Sequence, residues 1–482
     1  MTTWLWILGS LYLGGLVFAT LGARSQSHSS DDFMMAGSDL GFIVGCLTVA
    51  ATLFSTFTLL GMPDFFRTHG VGAWIFLAVS DTALAFVIIW FGAHLRRRAK
   101  EHDFQGIAGL MRSIYGSRWA GYVYLAGIFI FLVPYVAIQI RGIGIFMNAT
   151  FPEFLPVWGW SILIVAVMLT YSELGGLKAI IYADALQGVI LMTVALVIAY
   201  GCISHFGSIS AMFSEVRATN EALLSTPGPE GLLSTQFLLA SFLVIILVPI
   251  TQPQMTTRLV IMRDLKSMHR MAVMLGLFAI VLILAIVPIG MYGAAKYAEL
   301  PTSEFLFRAL IHDQAPIIAA AVAIGLIAAA ISTADSLLFA LGSELRSMLS
   351  GDEKTVMRYT KGAIVFFALL ALVVAILSND QLVLLARVSF AGTAILAPFI
   401  LAALLSRRAP GPELIVATAL GLALFLGSVT QAIPDTLNWV PMGLSLRLDL
   451  ALLMGLSLFT LISLGVRSAC AKQPSALSAG SN

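Results

Sequence analysis

Hydroxyl-bearing side chains set inside apolar runs are the residues with chemical potential in this chain. Val49-Ala-Ala-Thr-Leu-Phe-Ser-Thr-Phe-Thr-Leu-Leu-Gly-Met-Pro63 carries Thr52, Ser55, Thr56 and Thr58 in one short stretch closed by Gly61 and Pro63. A helix of this composition can break near its middle. A break frees carbonyl oxygens for a hard cation such as Na⁺ and amide groups for a solute. Gly325-Leu-Ile-Ala-Ala-Ala-Ile-Ser-Thr-Ala-Asp-Ser336 is the second such stretch. Its Ala329, Ser332, Thr333 and Ser336 recur at i, i+3, i+4 and i+7, so they share one helix face. Two hydroxyls with a backbone carbonyl suit an oxygen-preferring cation. Close packing of small side chains between helices is the competing use of both stretches. Asp335 is next to this face but projects elsewhere on the wheel.

Two further segments place costly polar groups in apolar surroundings. Gly175-Gly-Leu-Lys-Ala-Ile-Ile-Tyr-Ala-Asp-Ala-Leu-Gln187 sets Asp184 two turns inside a long apolar run. That carboxylate could bind an ion, act in gating or position a helix. Pro134-Tyr-Val-Ala-Ile-Gln-Ile-Arg141 sets Gln139 and Arg141 in another. An Arg there could meet a carboxylate bidentately, pair with an internal acid such as Asp81, or reach the membrane interface.

The elements that must position these residues are membrane-spanning helices. Of 482 residues, 59% are hydrophobic and 11% charged, against about 25% charged in soluble chains. A span needs about 20 apolar residues, and backbone polar groups in lipid must be satisfied internally. Thirteen runs qualify: 3–22, 39–61, 71–95, 119–147, 156–174, 179–205, 234–254, 271–297, 306–341, 361–378, 382–405, 411–431 and 447–466. The 306–341 run is long enough to be kinked, tilted or preceded by a short re-entrant piece. The prediction is an all-α integral membrane protein.

Loop charge sets the expected orientation. Arg96, Arg97, Arg98 and Lys100 follow the third run, and Arg258, Arg263, Lys266 and Arg270 the seventh. Lys354, Arg358 and Lys361 follow the ninth, Arg407 and Arg408 the eleventh, and Arg467 and Lys472 lie in the tail. The alternate loops are short or acid-leaning, with Glu215, Glu221 and Glu230 in the longest and Asn379-Asp380 in another. The N-terminus is therefore expected outside and the C-terminus in the cytoplasm of a bacterial-type inner membrane. The first run lacks a basic leader and a convincing cleavage site, so it reads as a retained span. A net charge of +2 argues against nucleic acid as a partner. Cys46, Cys202 and Cys470 lie far apart and show no metal-ligand spacing. No nucleophile–base pair stands out, so an enzyme is not expected, and no cofactor is called for beyond a coupling ion.

Together these segments resemble the sodium:solute symporter family. Gly175-Gly-Leu-Lys…Asp184-Ala-Leu-Gln187 is similar to that family's signature after its fourth core helix. The 329–336 run resembles its eighth core helix, and Asp31-Asp-Phe-Met-Met-Ala-Gly-Ser38 resembles the lead into its first. The resemblance implies a leucine-transporter-type fold: a peripheral span at 3–22, a first five-helix repeat over 39–205, an inverted second repeat over 234–405, two peripheral spans over 411–466 and a tail at 468–482. It implies a sodium site on the carbonyls of Ala51, Phe54 and Ala329 and the hydroxyls of Ser332 and Thr333. Some members hold a second sodium, which here would draw on Asp184 and Ser336; the position of Asp335 is a serine in those members. Other members carry a carboxylate inside the first core helix, where this chain has Leu53. The solute site would lie at the same break, lined by Ser55, Thr56, Thr58, Gln139 or Arg141, and Gln252. Pro134-Tyr-x-x-x-Gln resembles subgroups that carry carboxylates or amino acids. The implied activity is Na⁺-coupled symport of a small organic solute across a lipid bilayer. Proton coupling on the same fold, and solute sensing without net transport, are the alternatives.

Overall fold

The computed structural model describes residues 1–24, 39–151, 153–378, 382–406, 408–432 and 447–470. The 31–38 lead, Asn379-Asp380, Arg407 and the tail from 471, with Lys472, lie outside the described residues, as do the side chains of 170–176. Among the described residues the regular structure is helical, apart from one isolated pairing of Leu40 with Met262.

Each of the thirteen apolar runs falls on a helix. Length and composition alone support nine spans, or ten when one bent pair is counted as a span. The remaining runs fall on shorter apolar helices at Thr2–Phe18, Val157–Leu169 and Thr235–Ile246. In chain order, α1 is Thr2–Arg24, α2 Phe42–Leu53, α3 Met62–His69, α4 Trp74–Glu101, α5 Ile107–Tyr115, α6 Arg118–Thr150 and α7 Val157–His205. Then come α8 Ile209–Thr219, α9 Thr235–Ile246, α10 Pro253–Ile261, α11 Leu265–Lys296 and α12 Thr302–Phe307. The chain ends with α13 Pro316–Met348, α14 Glu353–Leu377, α15 Leu382–Ala394, α16 Ala397–Leu405, α17 Pro412–Val429 and α18 Leu448–Cys470. The expected 306–341 run divides: α12 and a π-turn to His312 come first, and α13 starts afresh at Pro316. The runs expected at 156–174 and 179–205 share the single helix α7.

Two helices break inside the bundle, each for a local reason. After Leu53 the hydroxyls compete with the backbone for its own hydrogen bonds. The Ser55 amide donates to Thr58 Oγ1 (3.2 Å) and the Phe57 amide to Ser55 Oγ (3.2 Å). Phe54 is extended at φ −96°, ψ 115°. A π-turn at Phe57–Gly61 follows before α3, and the two halves meet at a 57° bend. In the second break, Gln252 is extended at φ −96°, ψ 124° between the helical turn Val248–Thr251 and α10. Pro253 explains it: a residue before proline is pushed out of the α region, and proline itself can only begin a helix. The two breaks thus share one backbone conformation.

The broken helices occupy the middle. α2 packs on α7, α11 and α13, and α10 packs on α13 and α4. Leu382–Leu405, carrying α15 and α16, is 83% buried over its apolar window, against 28% for α14 and 17% for α18. The latter two therefore lie at the outside of the bundle. α1 is two-faced: Trp6, Leu11 and Phe18 are exposed, while Tyr12 and Leu16 pack against α7 and α13.

Candidate ion and solute site at the helix breaks

The first break releases the Ala51 carbonyl. Its usual helical partner, the Ser55 amide, has turned to Thr58, and two hydroxyls from α13 replace it. Ser332 Oγ lies 2.9 Å and Thr333 Oγ1 3.2 Å from Ala51 O. All three residues are buried. Ser332 Oγ also lies 2.8 Å from Asp184 Oδ1. One hydroxyl proton cannot serve two acceptors at once, so this cluster has more lone pairs than protons. That is the donor set a hard cation fits. Phe54 is the extended residue of the break, and Ala329 lies one turn before Thr333 on the same face of α13.

Asp184 and Ser336 come together around a cation the sequence reading had placed elsewhere. Arg258 was counted as a loop charge following a span that ended at 254. It instead sits inside α10, 1% exposed, and pairs with Asp184 at 2.7 Å. Its Nη2 also donates to Ser336 Oγ (2.6 Å), Nε to Thr48 Oγ1 (2.9 Å) and Nη1 to the Gln254 carbonyl (3.0 Å). Thr48 Oγ1 lies 2.7 Å from Asp184 Oδ2. One guanidinium thus ties α2, α7, α10 and α13 together. The available signal was the apolar run Leu259-Val-Ile-Met262 continuing past the charge. Gly188 permits the arrangement: a Cβ there would lie 2.9 Å from the Leu47 carbonyl of α2.

The expected solute residues divide. Thr56 Oγ1 donates to Gln139 Oε1 at 2.6 Å, and Gln139 Nε2 to the Tyr135 carbonyl at 3.2 Å, both in buried positions. Ser55 and Thr58 spend hydrogen-bonding capacity on the break itself. Gln252 sits at the second break; its Oε1 accepts from Gln254 Nε2 (2.5 Å), while its own Nε2 is buried without a partner. Arg141 is half-buried, about 200° around α6 from Gln139, so the structure brings only Gln139 to Thr56. Two tyrosines, Tyr135 of the Pro134-Tyr-x-x-x-Gln motif and Tyr124, take a part that the sequence does not show. Tyr135 donates to the Leu53 carbonyl (3.2 Å) and Tyr124 to the Thr251 carbonyl (3.3 Å), the residues just before Phe54 and Gln252. α6 thereby satisfies one carbonyl at each break.

Asp335 is different from every other acid near the site. It is 1% exposed, and both carboxylate oxygens lack a hydrogen-bond partner. Beyond α3, a cavity of about 490 Å³ is lined by Gly61, Asp64, Arg67, His69, Glu230 and Thr302 among others. Arg67 closes one wall, pairing with Asp64 at 2.7 Å and donating to the carbonyls of Tyr297, Ala298 and Leu300. None of the expected solute residues lines this cavity.

A helical membrane bundle with one helix broken at Phe54 and another at Gln252, similar in structure to leucine-transporter-type transporters, has that fold. A sequence model of the sodium:solute symporter family matches residues 33–411, and the chain belongs to that family. It is 22% identical over 294 residues to the sodium/pantothenate symporter of Haemophilus influenzae, covering 60% of this chain and 58% of that one. It is 25% identical over 392 residues to the high-affinity proline transporter PutP of Bacillus subtilis, covering 77% and 80%. In structure it is similar to a substrate-bound, outward-open Na⁺-coupled sialic acid symporter (TM-score 0.76, 16% identity, covering 96% and 98% of the two chains). MHP1, a nucleobase-cation-symport-1 family transporter in a closed conformation, gives a TM-score of 0.57 at 13% identity, covering 92% and 95%.

Proposed function

We propose that this protein is a Na⁺-coupled symporter of a small organic solute, with its sodium site on Ala51, Phe54, Ala329, Ser332 and Thr333. The observation that carries the reading is the convergence of the Ser332 and Thr333 hydroxyls on the freed Ala51 carbonyl. An ion there joins α2 to α13 and so favours the conformation in which they touch. A ligand shifts such an equilibrium only by its differential affinity for the two states. The solute is placed beside the break, against Thr56, Gln139 and Gln252, with Ser55 and Thr58 shaping the backbone that meets it. Arg141 is retained as a second candidate on α6. The solute class proposed is a carboxylate or amino acid. Pantothenate, proline and sialic acid, the solutes named for the relatives, each bear a carboxylate. The 490 Å³ cavity suits an entrance for such a solute. With the basic loops inside, that cavity faces outward.

The test is uptake of a radiolabelled panel of carboxylates and amino acids into proteoliposomes. A solute accumulated equally with and without an inward Na⁺ gradient would overturn sodium coupling. The unpartnered Asp335 favours one second reading, proton coupling on the same fold. Uptake that survives replacement of Na⁺ by choline at fixed pH, and follows a pH gradient, would support it instead.

A further inference from the structure

The positive charges at the end of the bundle that carries the basic loops are of two kinds. Several arginines there are engaged by the protein itself. Arg96 donates to the carbonyls of Leu259 (3.0 Å), Val260 (2.7 Å) and Met262 (2.5 Å) at the close of α10. Arg98 donates to the Leu404 carbonyl (3.2 Å) and to Glu101 (2.9 Å), and Arg263 pairs with Asp39 at 2.7 Å. The first turns of α14 differ. Lys354 and Arg358 are exposed, and neither side chain has a hydrogen bond or ion pair among the described residues. Lys354, Met357, Arg358 and Lys361 recur at i, i+3, i+4 and i+7, so they share one helix face. With Glu353 they line an open cavity of about 510 Å³. Three cations against one carboxylate leave that cavity positive.

The same face continues as hydrocarbon. Val365, Leu369, Val373 and Ile376 follow Lys361 at steps of four, four, four and three, and all four are exposed. The opposite face is the one that packs: Thr360, Phe367, Ala368, Ala371 and Ala375 are buried, and the Phe367 ring stacks on Phe129 of α6 with centroids 3.8 Å apart. From 365 to 376 the helix axis rises about 16 Å. That matches one leaflet of a hydrocarbon core about 30 Å thick. A file of cations running straight into an exposed apolar stripe of that depth is complementary to a molecule with an anionic head and a hydrocarbon tail.

We propose that this face of α14 binds one anionic phospholipid, its phosphate held by Lys354, Arg358 and Lys361 and an acyl chain laid along the exposed apolar stripe. The proposal rests on the membrane architecture and is independent of which ion or solute the protein carries. Diffuse attraction of a span's basic end to the membrane surface asks only for charge. The α14 face adds to the charge a fixed spacing and a hydrophobic continuation in register with it. An arginine fork and two ammonium groups suit a phosphate. Each basic residue near an anionic lipid surface is worth about fivefold in affinity.

The test takes the full chain in a neutral detergent and titrates it with phosphatidylglycerol or phosphatidylcholine, read by thermal unfolding and by native mass spectrometry. Phosphatidylglycerol should be retained and should raise Tm, and phosphatidylcholine should do neither. Lys354→Gln combined with Arg358→Gln and Lys361→Gln should raise the phosphatidylglycerol concentration at half the Tm shift roughly 100-fold. Arg97→Gln combined with Lys100→Gln and Lys266→Gln removes three exposed charges from the same end of the bundle. That variant should stay within about threefold of the unmodified chain, because its charges lie off the α14 face. Arg358→Gln alone should raise the value about fivefold and Arg358→Lys should stay within about twofold, which keeps the test readable if the triple variant misfolds. Equal losses in the two triple variants would overturn the proposal in favour of diffuse charge. So would equal Tm gains from the two lipids. Inorganic phosphate that reproduces the Tm shift would overturn a lipid as the occupant.

Discussion

Thr333 offers the cleanest probe of the proposed ion site, because its hydroxyl makes a single buried contact, to Ala51 O at 3.2 Å. Thr333→Val keeps the shape and deletes the oxygen. In the absence of Na⁺ the Ala51 carbonyl still has the Ser332 hydroxyl at 2.9 Å. The cost to the ion-free protein is therefore that of one hydrogen bond, about 0.5–1.5 kcal/mol. With Na⁺ bound, the loss is a contact between an oxygen and a full charge, worth about 1.5–3 kcal/mol. The affinity changes only by the difference between the two, about 1–1.5 kcal/mol, so at about 1.4 kcal/mol per tenfold the Na⁺ concentration for half-saturation should rise roughly 5- to 12-fold. Thr333→Ser restores the oxygen and should return the value to within about threefold. The assay is ²²Na⁺ binding to purified protein, which needs no knowledge of the solute. Half-saturation that stays put in Thr333→Val, in protein that is monodisperse, would refute the placement of the ion on this hydroxyl.

Three other outcomes follow from the geometry. Tyr135→Phe and Tyr124→Phe each strip a buried carbonyl of its partner, so each should cost about 1–3 kcal/mol in thermal unfolding, and at their separation the two losses should add. Gly188→Ala drives a methyl group into the Leu47 carbonyl, where backbone must give way; a loss of about 1–3 kcal/mol together with weaker Na⁺ binding is expected, since α2 carries both Thr48 and Ala51. Outside the spans, burial pushes the Asp313 carboxyl up, but hydrogen bonds from Tyr292 and Tyr297 outweigh it and hold the pKa at about 2, below the usual 3.8. A depressed carboxylate stabilises the fold above its unfolded pKa and loses that contribution as pH falls through its folded one. The Tm advantage over Asp313→Asn should be complete above about pH 4 and close as pH falls to about 2.

The first break was legible because its causes are local: four hydroxyls, Gly61 and Pro63 sit within a dozen residues of one another. The face of Ser332, Thr333 and Ser336 was legible for the same reason, since helical periodicity alone aligns them. Asp184 announced itself by the cost of a carboxylate in an apolar run. Arg258 did not, because a hydropathy window ends a span at a cation, and only the three-dimensional partner shows that the helix carries it inward. The second break fell where Thr251-Gln-Pro-Gln254 reads as the polar end of an apolar run, so its Pro253 looked like the close of a span and not a break within one. The carbonyl bonds of Tyr124 and Tyr135 were hidden for another reason: their partners lie more than eighty residues away in sequence. Gln139 and Arg141 could not be separated until the rotation of α6 against α2 was known.

The pair of tyrosines also makes α6 a ruler. Their eleven-residue separation sets their backbones about 16 Å apart along the helix axis. One end of that length reads the carbonyl before Phe54, and the other reads the carbonyl before Gln252. The two discontinuities are thereby held at a set spacing by a third helix that belongs to neither. Any displacement of one break relative to the other has to break a tyrosine hydrogen bond or carry α6 along.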